Sequence, residues 1–583
     1  MPEDWRTSAT NVLVIGTGGA GLRAAIAAHD AGQEVRVVGR RPRRDAHTVL
    51  AAGGINASLG TRDPDDDPRW HFEDTWNEGY YLADPAKVEL LVTEAPEHLL
   101  QLAEWGMPFA RTDEGEIDQR YFGAHRYRRT CYAGDWTGRA LLETLLDQVE
   151  RRGIGLRDGC YVSHLLVEDG VCGGALAFDL ATGERSVLLA DAVVLAGGGH
   201  TRLWARSSSR RDENSGDALR LALLAGAQLR DLELVQFHPT GMTHPDAWEG
   251  QLVTEAVRGE GGRLVNADGE RFMERYDPDR MELSTRDTVA LANYTEIQEG
   301  RAGPHGGVFL DLSHLDRATI REKLPRMYRQ FVDAQLLDIA EEPMEVSPTA
   351  HYSMGGVSVT PESAATDVAG LFAAGEITGG LHGANRLGGN SLIETVVYGA
   401  RAGSAAAERS RGLRAHPRPL HAIHVANEEL DELTGDGELP APLAQHELRA
   451  IMWEHVGVVR EDDGLARAID RIEELETVLD DLQVQPDAQG HGDLAAALEL
   501  RGGLLLARAT ATAARARTET RGAHQRRDHP ERDDEEQLVN HVVTLDPEGE
   551  LVWSTRARPA IPDRLRDWAR ATERPDEEDR LLE

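Results

Sequence analysis

Lysine is nearly missing from this chain: Lys87 and Lys323 are the only two among 583 residues, and arginine carries the rest of the positive charge. Against 63 basic residues stand 100 acidic ones, a formal net charge of -37. A surplus of that size repels a phosphate backbone, which excludes nucleic acid as a partner. Abundant Asp and Glu with so little Lys reads as a solvated acidic surface adapted to a salt-rich cytoplasm, where ionic strength screens the self-repulsion.

Cysteine is scarce as well. Cys131, Cys160 and Cys172 are widely spaced with no CxxC pair, which excludes a disulfide framework and an internal iron–sulfur cluster and fits a reducing compartment. No metal site is expected. The chain also lacks any run of about 18 apolar residues, so no membrane span is expected. Its opening, MPEDWRTSAT, is acidic and has no apolar core of the signal-peptide kind. Membrane association would have to come through a partner.

Glycine, by contrast, is plentiful. With 59 Gly and 40% apolar residues the composition suits a globular α/β enzyme, and the length suggests two to four domains. Residues 11–39 read as strand (NVLVIG), Gly-rich turn, helix (GLRAAIAAHDAG, ending at Gly32) and strand (EVRVVG). Gly16, Gly18 and Gly21 stand in GxGxxG spacing, which permits a tight turn and brings a helix N-terminus up to a pyrophosphate. The second strand ends at Gly39-Arg40 without a ribose-binding acid, so FAD is favoured over NAD. DAVVLAGGG (191–199) and LFAAGEITGG (371–380) repeat the strand-to-glycine form, and Glu376 is placed to bond cofactor hydroxyls.

These three segments point to a discontinuous Rossmann-like FAD-binding domain in an α/β fold, made of residues 1–240 and 351–415. An α+β capping domain, residues 241–350, would be inserted between them. Prolines in 416–423 mark a linker. Helical periodicity over 443–483 and 491–518 predicts a helical domain at 416–539. A hairpin at 540–557 with PEG in its turn would lie in a small C-terminal domain, 540–583, ending in a solvated acidic tail.

His47 lies in AHTVLAAGGINASLG, just downstream of the nucleotide-binding opening. That run, with RTCYAGDWTGRALLETL, QFHPTG, LVTEAVRGEGGRLVN, HYSMGGV, GEITGGLHGANRLGGNSL and RTETRGAHQRRDHPERDD, resembles the flavoprotein subunit of succinate dehydrogenase and fumarate reductase from about residue 11 to 545. The resemblance implies interconversion of succinate and fumarate with FAD. Electrons would pass to an iron–sulfur subunit held by membrane-anchor subunits, placing the chain on the cytoplasmic face of the cell membrane.

The same resemblance assigns residues. Arg386 and His351 would bind one substrate carboxylate, and His238 and Thr254 the other. Arg286 would carry the proton, with Glu255 and Arg258 relaying it from solvent. Arginine is a poor acid in water, so this role needs a desolvated, closely positioned guanidinium, and closure of the cap would assemble it. Gly16, Gly18, Gly19, Gly21, Thr48, Gly53, Gly54, Gly198, Asp217, Glu376, Asn390, Ser391 and Leu392 are the candidate cofactor contacts, and His47 the covalent flavin anchor. Two departures from the family stand out: Ala52 where Gln or Glu is usual, and a shortened stretch after FGAH (122–125). An L-aspartate oxidase, similar over much of the chain but lacking the histidine, is the alternative.

The acidic composition carries its own test. The melting temperature should climb from dilute buffer to molar KCl as screening relieves self-repulsion; a melting temperature independent of salt would count against the adaptation.

Overall fold

The computed structural model describes residues 7–433, 435–486 and 490–570; the acidic tail and the first six residues lie outside them. Strand β1 (Thr7–Ile15) begins with alternating exposure and ends fully buried, the pattern of a strand entering the middle of a covered parallel sheet. It leads through a glycine turn into helix α1 (Gly19–Asp30) and then strand β2 (Val35–Val38). The pairing is parallel, with Val12 opposite Val35 and Ile15 opposite Val38. The same sheet takes β3 (Gly155–Arg157) beyond β2. On the other side an antiparallel set follows, β4 (Cys160–Glu168), β5 (Val171–Asp179) and β6 (Arg185–Leu195), with β6 lying parallel to β1.

The chain then leaves this sheet and builds a second one. Strands β7 (Val235–Met242), β8 (Arg263–Val265), β9 (Val308–Asp311) and β10 (Met344–Ser353) pair antiparallel in the order β7-β10-β9-β8. Helix α2 (Arg286–Gln298) packs on β7. This lobe has its own apolar core around Met242, Val257, Phe272, Val289, Val308 and Phe331, and its sheet already begins at Val235. It is the inserted α+β cap.

Strand β11 (Leu371–Ala373) returns to the first sheet and pairs with β6, Leu371 opposite Val193. Helix α3 (Asn390–Gly412) then lies along α1. Two glycines allow that approach: a Cβ on Gly399 would stand 2.7 Å from the Ala20 carbonyl oxygen, and one on Gly403 would stand 2.1 Å from that of Ala24. Spaced four apart, they share one helix face and let the two backbones meet. Residues far apart in sequence thereby make one nucleotide-binding layer.

Helices α4 (Ala441–His455), α5 (Asp462–Glu476) and α6 (Gly492–Ala516) form the helical domain. The C-terminal hairpin, β12 (Val539–Leu545) and β13 (Leu551–Ala557), does not stand alone. Val543 pairs with Leu229, so the hairpin extends a sheet rooted beside the cap. Arg517, fully buried, holds this junction. It binds Glu233 at 2.8 Å and Glu519 at 3.2 Å and donates to the Gln537 and Val539 carbonyls. Arg517→Met would strand the fully buried Glu233 carboxylate, so a loss of about 3–5 kcal/mol is expected, read as a lower denaturation midpoint at unchanged slope.

Candidate active site

A cleft open to solvent runs between the first sheet and the cap. Its inner end is built from backbone. Gly16, at φ +122°, brings the turn so close to β6 that a Cβ would meet the Ala196 oxygen at 2.2 Å. Gly18 and Gly19 follow at the N-terminus of α1, where free N–H groups and the helix dipole favour an anion. Gly21 faces the turn instead of the cleft: a Cβ there would meet the Gly16 oxygen at 2.0 Å. Thr48, Gly53, Gly54, Gly198, Asp217, Glu376, Ser391 and Leu392 line the cleft as well.

Asn390 does not point its side chain there. Its amide oxygen accepts from Asn56 at 2.8 Å and meets His71 at 2.8 Å, while its amide nitrogen donates to Thr75 at 2.9 Å. These bonds fix the start of α3. Glu376 is half-buried beside the glycine strand end, and its desolvation there lifts its carboxyl pKa despite His47 nearby. These features suit a dinucleotide: backbone donors for phosphates, and a carboxylate for ribose hydroxyls.

His47 also lines the cleft. Its Nδ1 lies 3.0 Å from Glu213 Oε2. Burial works against a charge on His47, but Glu213 outweighs it and raises the pKa. Glu213 responds in the matching direction: burial opposes ionisation, yet His47 and Arg210 draw its carboxyl down to about 2. In the neutral imidazole, Nδ1–H donates to Glu213 and Nε2 keeps its lone pair. Ala52, buried nearby in the wall, offers no polar side chain.

At the outer end two lobes contribute side chains to one space. His238, Thr254, Glu255 and Arg286 come from the cap, and Arg386 from the loop before α3; His351, at the end of β10, completes the group. All but His351 are buried, and that ring opens onto the cleft. Arg286 Nε and Nη2 donate to Glu255 Oε2 at 2.9 and 2.8 Å. Arg258 lies behind, fully buried, with Nη2 3.8 Å from the same oxygen and Nη1 donating to the Glu282 carbonyl. Among the described residues its Nε and Nη2 have no hydrogen-bond partner. Burial raises the Glu255 pKa, but Arg286 and Arg258 more than reverse this, so the carboxyl is held low.

Arg386 is a cation without a carboxylate partner among the described residues. It donates to Gln236 Oε1 at 3.0 Å, lies 4.3 Å from the Tyr352 ring centre, and keeps Nε unpaired. Burial, helped by Arg286, lowers its pKa to about 10, so it stays charged at neutral pH. His238 and His351 lie edge to face, 5.2 Å apart. Both have pKa values well below the usual range, first through burial and then through each other or the nearby arginines. The Thr240 N–H donates to His238 Nδ1 at 3.2 Å, so that ring carries its proton on Nε2 and can donate from it.

Two contributors escape motif reading. Gln236 sits two residues before His238 on β7, hence on the same strand face. Its Oε1 accepts from both Arg286 (3.2 Å) and Arg386 (3.0 Å), and its Nε2 donates to Asn385 at 2.7 Å. It is a neutral spacer between two guanidiniums that no acid separates. Period-two spacing from His238 is a signal for it. Glu213, 166 residues from His47, has none. Gln236→Leu should keep the fold but leave both arginines without that acceptor. Steady-state kinetics should show KM raised at least about tenfold, the scale of losing a hydrogen bond to charged groups.

Comparison with known proteins places this geometry. Residues 11–392 match the FAD binding domain family, and residues 445–565 the fumarate reductase flavoprotein C-terminal family. One chain of the CoM/CoB fumarate reductase of Methanothermobacter marburgensis is 45% identical over 89% of this chain and 94% of its own. The succinate dehydrogenase flavoprotein subunit of Rickettsia bellii is 37% identical over 93% of this chain and 94% of its own. Among solved structures, Mycobacterium smegmatis Sdh1 in complex with UQ1 superposes with a TM-score of 0.87 at 37% identity, covering 96% of both chains. A mutated E. coli quinol fumarate reductase FrdA gives 0.90 at 34% identity, covering 96% of this chain and 99% of that one.

Proposed function

The chain belongs to the flavoprotein family of the succinate dehydrogenases and fumarate reductases, and from that footing we propose that it interconverts succinate and fumarate. The observation that carries the reading is the buried cationic pair. Arg286 and Arg386 line one cleft and share a neutral amide, and only Arg286 has an acid against it. A buried guanidinium without a counter-ion is costly, and a carboxylate supplies the partner it lacks.

Arg386 and His351 would grip one carboxylate, and His238 and Thr254 the other. Donors at both ends suit a dicarboxylate, whereas the ammonium group of an amino acid would face cations. Bound FAD would supply the hydride acceptor or donor. Arg286 gives or takes the proton on the adjacent carbon, and its bond to Glu255, backed by Arg258, would pass that proton along. Desolvation and a fixed partner are the conditions an arginine acid requires. Closure of the cap onto the flavin layer would exclude water at the same moment.

His47 would hold FAD covalently through Nε2, the nitrogen that Glu213 leaves free. With three cysteines the chain cannot ligate its own cluster, so electrons would leave to a separate iron–sulfur subunit. No helix among the described residues is long and apolar enough to cross a membrane; anchor subunits would hold the complex at the inner face of the cell membrane.

Dye-coupled turnover at high salt, with succinate and L-aspartate side by side, tests this. Succinate should be oxidised, and Arg286→Ala should lower its turnover by about 10²–10⁴-fold, the range for a lost general acid. Oxidation of aspartate alone would overturn the reading. The covalent bond has a separate readout: after acid precipitation flavin fluorescence should stay on the wild-type polypeptide and appear in the supernatant of His47→Ala.

A further inference from the structure

Outside the cleft, the cap carries a cluster that the proposed reaction does not use. His244 follows β7, His305 sits in the turn Gly303–Gly307 before β9, and Glu345 is the second residue of β10. Ligand atoms of the three lie within 4.8 Å of one another. The two imidazoles are stacked, with ring centres 3.7 Å apart and planes 23° from parallel; a turn of the exposed His305 ring out of this stack would let a nitrogen of each ring meet one ion.

We propose that His244, His305 and Glu345 form a binding site for a borderline divalent cation of the zinc class. Two imidazoles and one carboxylate are a donor set such ions take, with the remaining position left to water.

The surroundings prepare each ligand. The Thr243 hydroxyl donates to the Glu345 carbonyl at 3.2 Å, so toward His244 Nδ1, 3.1 Å away, it can only accept. In that arrangement His244 carries its proton on Nδ1, which leaves the Nε2 lone pair for a cation. An outer hydrogen bond of this kind fixes the tautomer and orientation of metal-binding histidines. Gln335 holds the backbone of the same residue, donating to its carbonyl at 2.6 Å.

Glu345 is 4% exposed and receives the N–H groups of His305 (2.8 Å) and Gly307 (3.0 Å) on Oε1. Both bonds go to one oxygen, and Oε2 remains for coordination. Gly303 makes room for this carboxylate, since a Cβ there would meet its carbon at 2.9 Å. His305 is exposed at the tip of the turn and closes the site from outside.

A cation here would tie three cap segments together. It would brace the ends of β7 and β10 that lie opposite His238 and His351, about 20 Å away at strand rise. Its effect is thus stiffening of the cap sheet, without contact with the reacting atoms.

Cobalt(II) titration of tag-free, full-length protein, stripped with chelator and desalted, tests the site. One equivalent should bind with visible ligand-field bands and be displaced by Zn²⁺. His305→Ala and His244→Ala should each weaken binding by at least about tenfold, and Thr243→Val should weaken it by removing the tautomer lock. Zn²⁺ should raise the melting temperature of the wild type but not of His305→Ala, an exposed position whose substitution leaves folding intact. Absence of Co²⁺ uptake by the wild type, or uptake by both histidine variants as tight as that of the wild type, would overturn the proposal.

Discussion

A shortage of negative charge in one buried place organises this protein. Arg258, Arg286 and Arg386 are all removed from water, and Glu255 is the one carboxylate against them among the described residues. Gln236 separates two of the guanidiniums as a neutral acceptor, and His238 and His351 stay uncharged because burial and the arginines prevent protonation. Such an arrangement is unfavourable when empty and becomes favourable when an anion enters. Binding energy is thus stored as unmet electrostatic demand.

The fold exists to bring that cluster against a flavin layer. The parallel sheet and the glycine contact between α1 and α3 join segments far apart in sequence into one cofactor bed, and the cap hangs its own sheet over the outer end. Arg286 and His238 arrive on the cap, Arg386 on the loop before α3. The geometry of this cluster therefore depends on how two lobes meet. Arg517 and its partners secure the C-terminal hairpin to this junction from behind.

Much of this is legible in residue order. The strand–glycine–helix pattern at 11–39 and the returns at 191–199 and 371–380 mark backbone requirements, which tolerate few residue types and so leave a signal. The inserted lobe follows from them. What escapes is tertiary in origin. Glu213 meets His47 across 166 residues, and Arg517 meets Glu233 across 284. Asn390 lies in a motif that suggests a cofactor contact, yet its amide is spent on Asn56, His71 and Thr75. The expectation that no metal site exists rests on the lack of ligand-spaced motifs; the cation site proposed above would draw His244, His305 and Glu345 from three separate loops and strands, where local spacing carries no signal.

The central claim is that the cleft is an anion trap built for two carboxylates, and calorimetric binding of malonate, a dicarboxylate that cannot be dehydrogenated, tests it most directly. The account predicts one site per chain. Affinity should fall at least about tenfold in Arg386→Gln, the scale of a lost charge-assisted bond, and acetate should bind far more weakly. Equal affinity for acetate and malonate, or binding indifferent to Arg386, would contradict it.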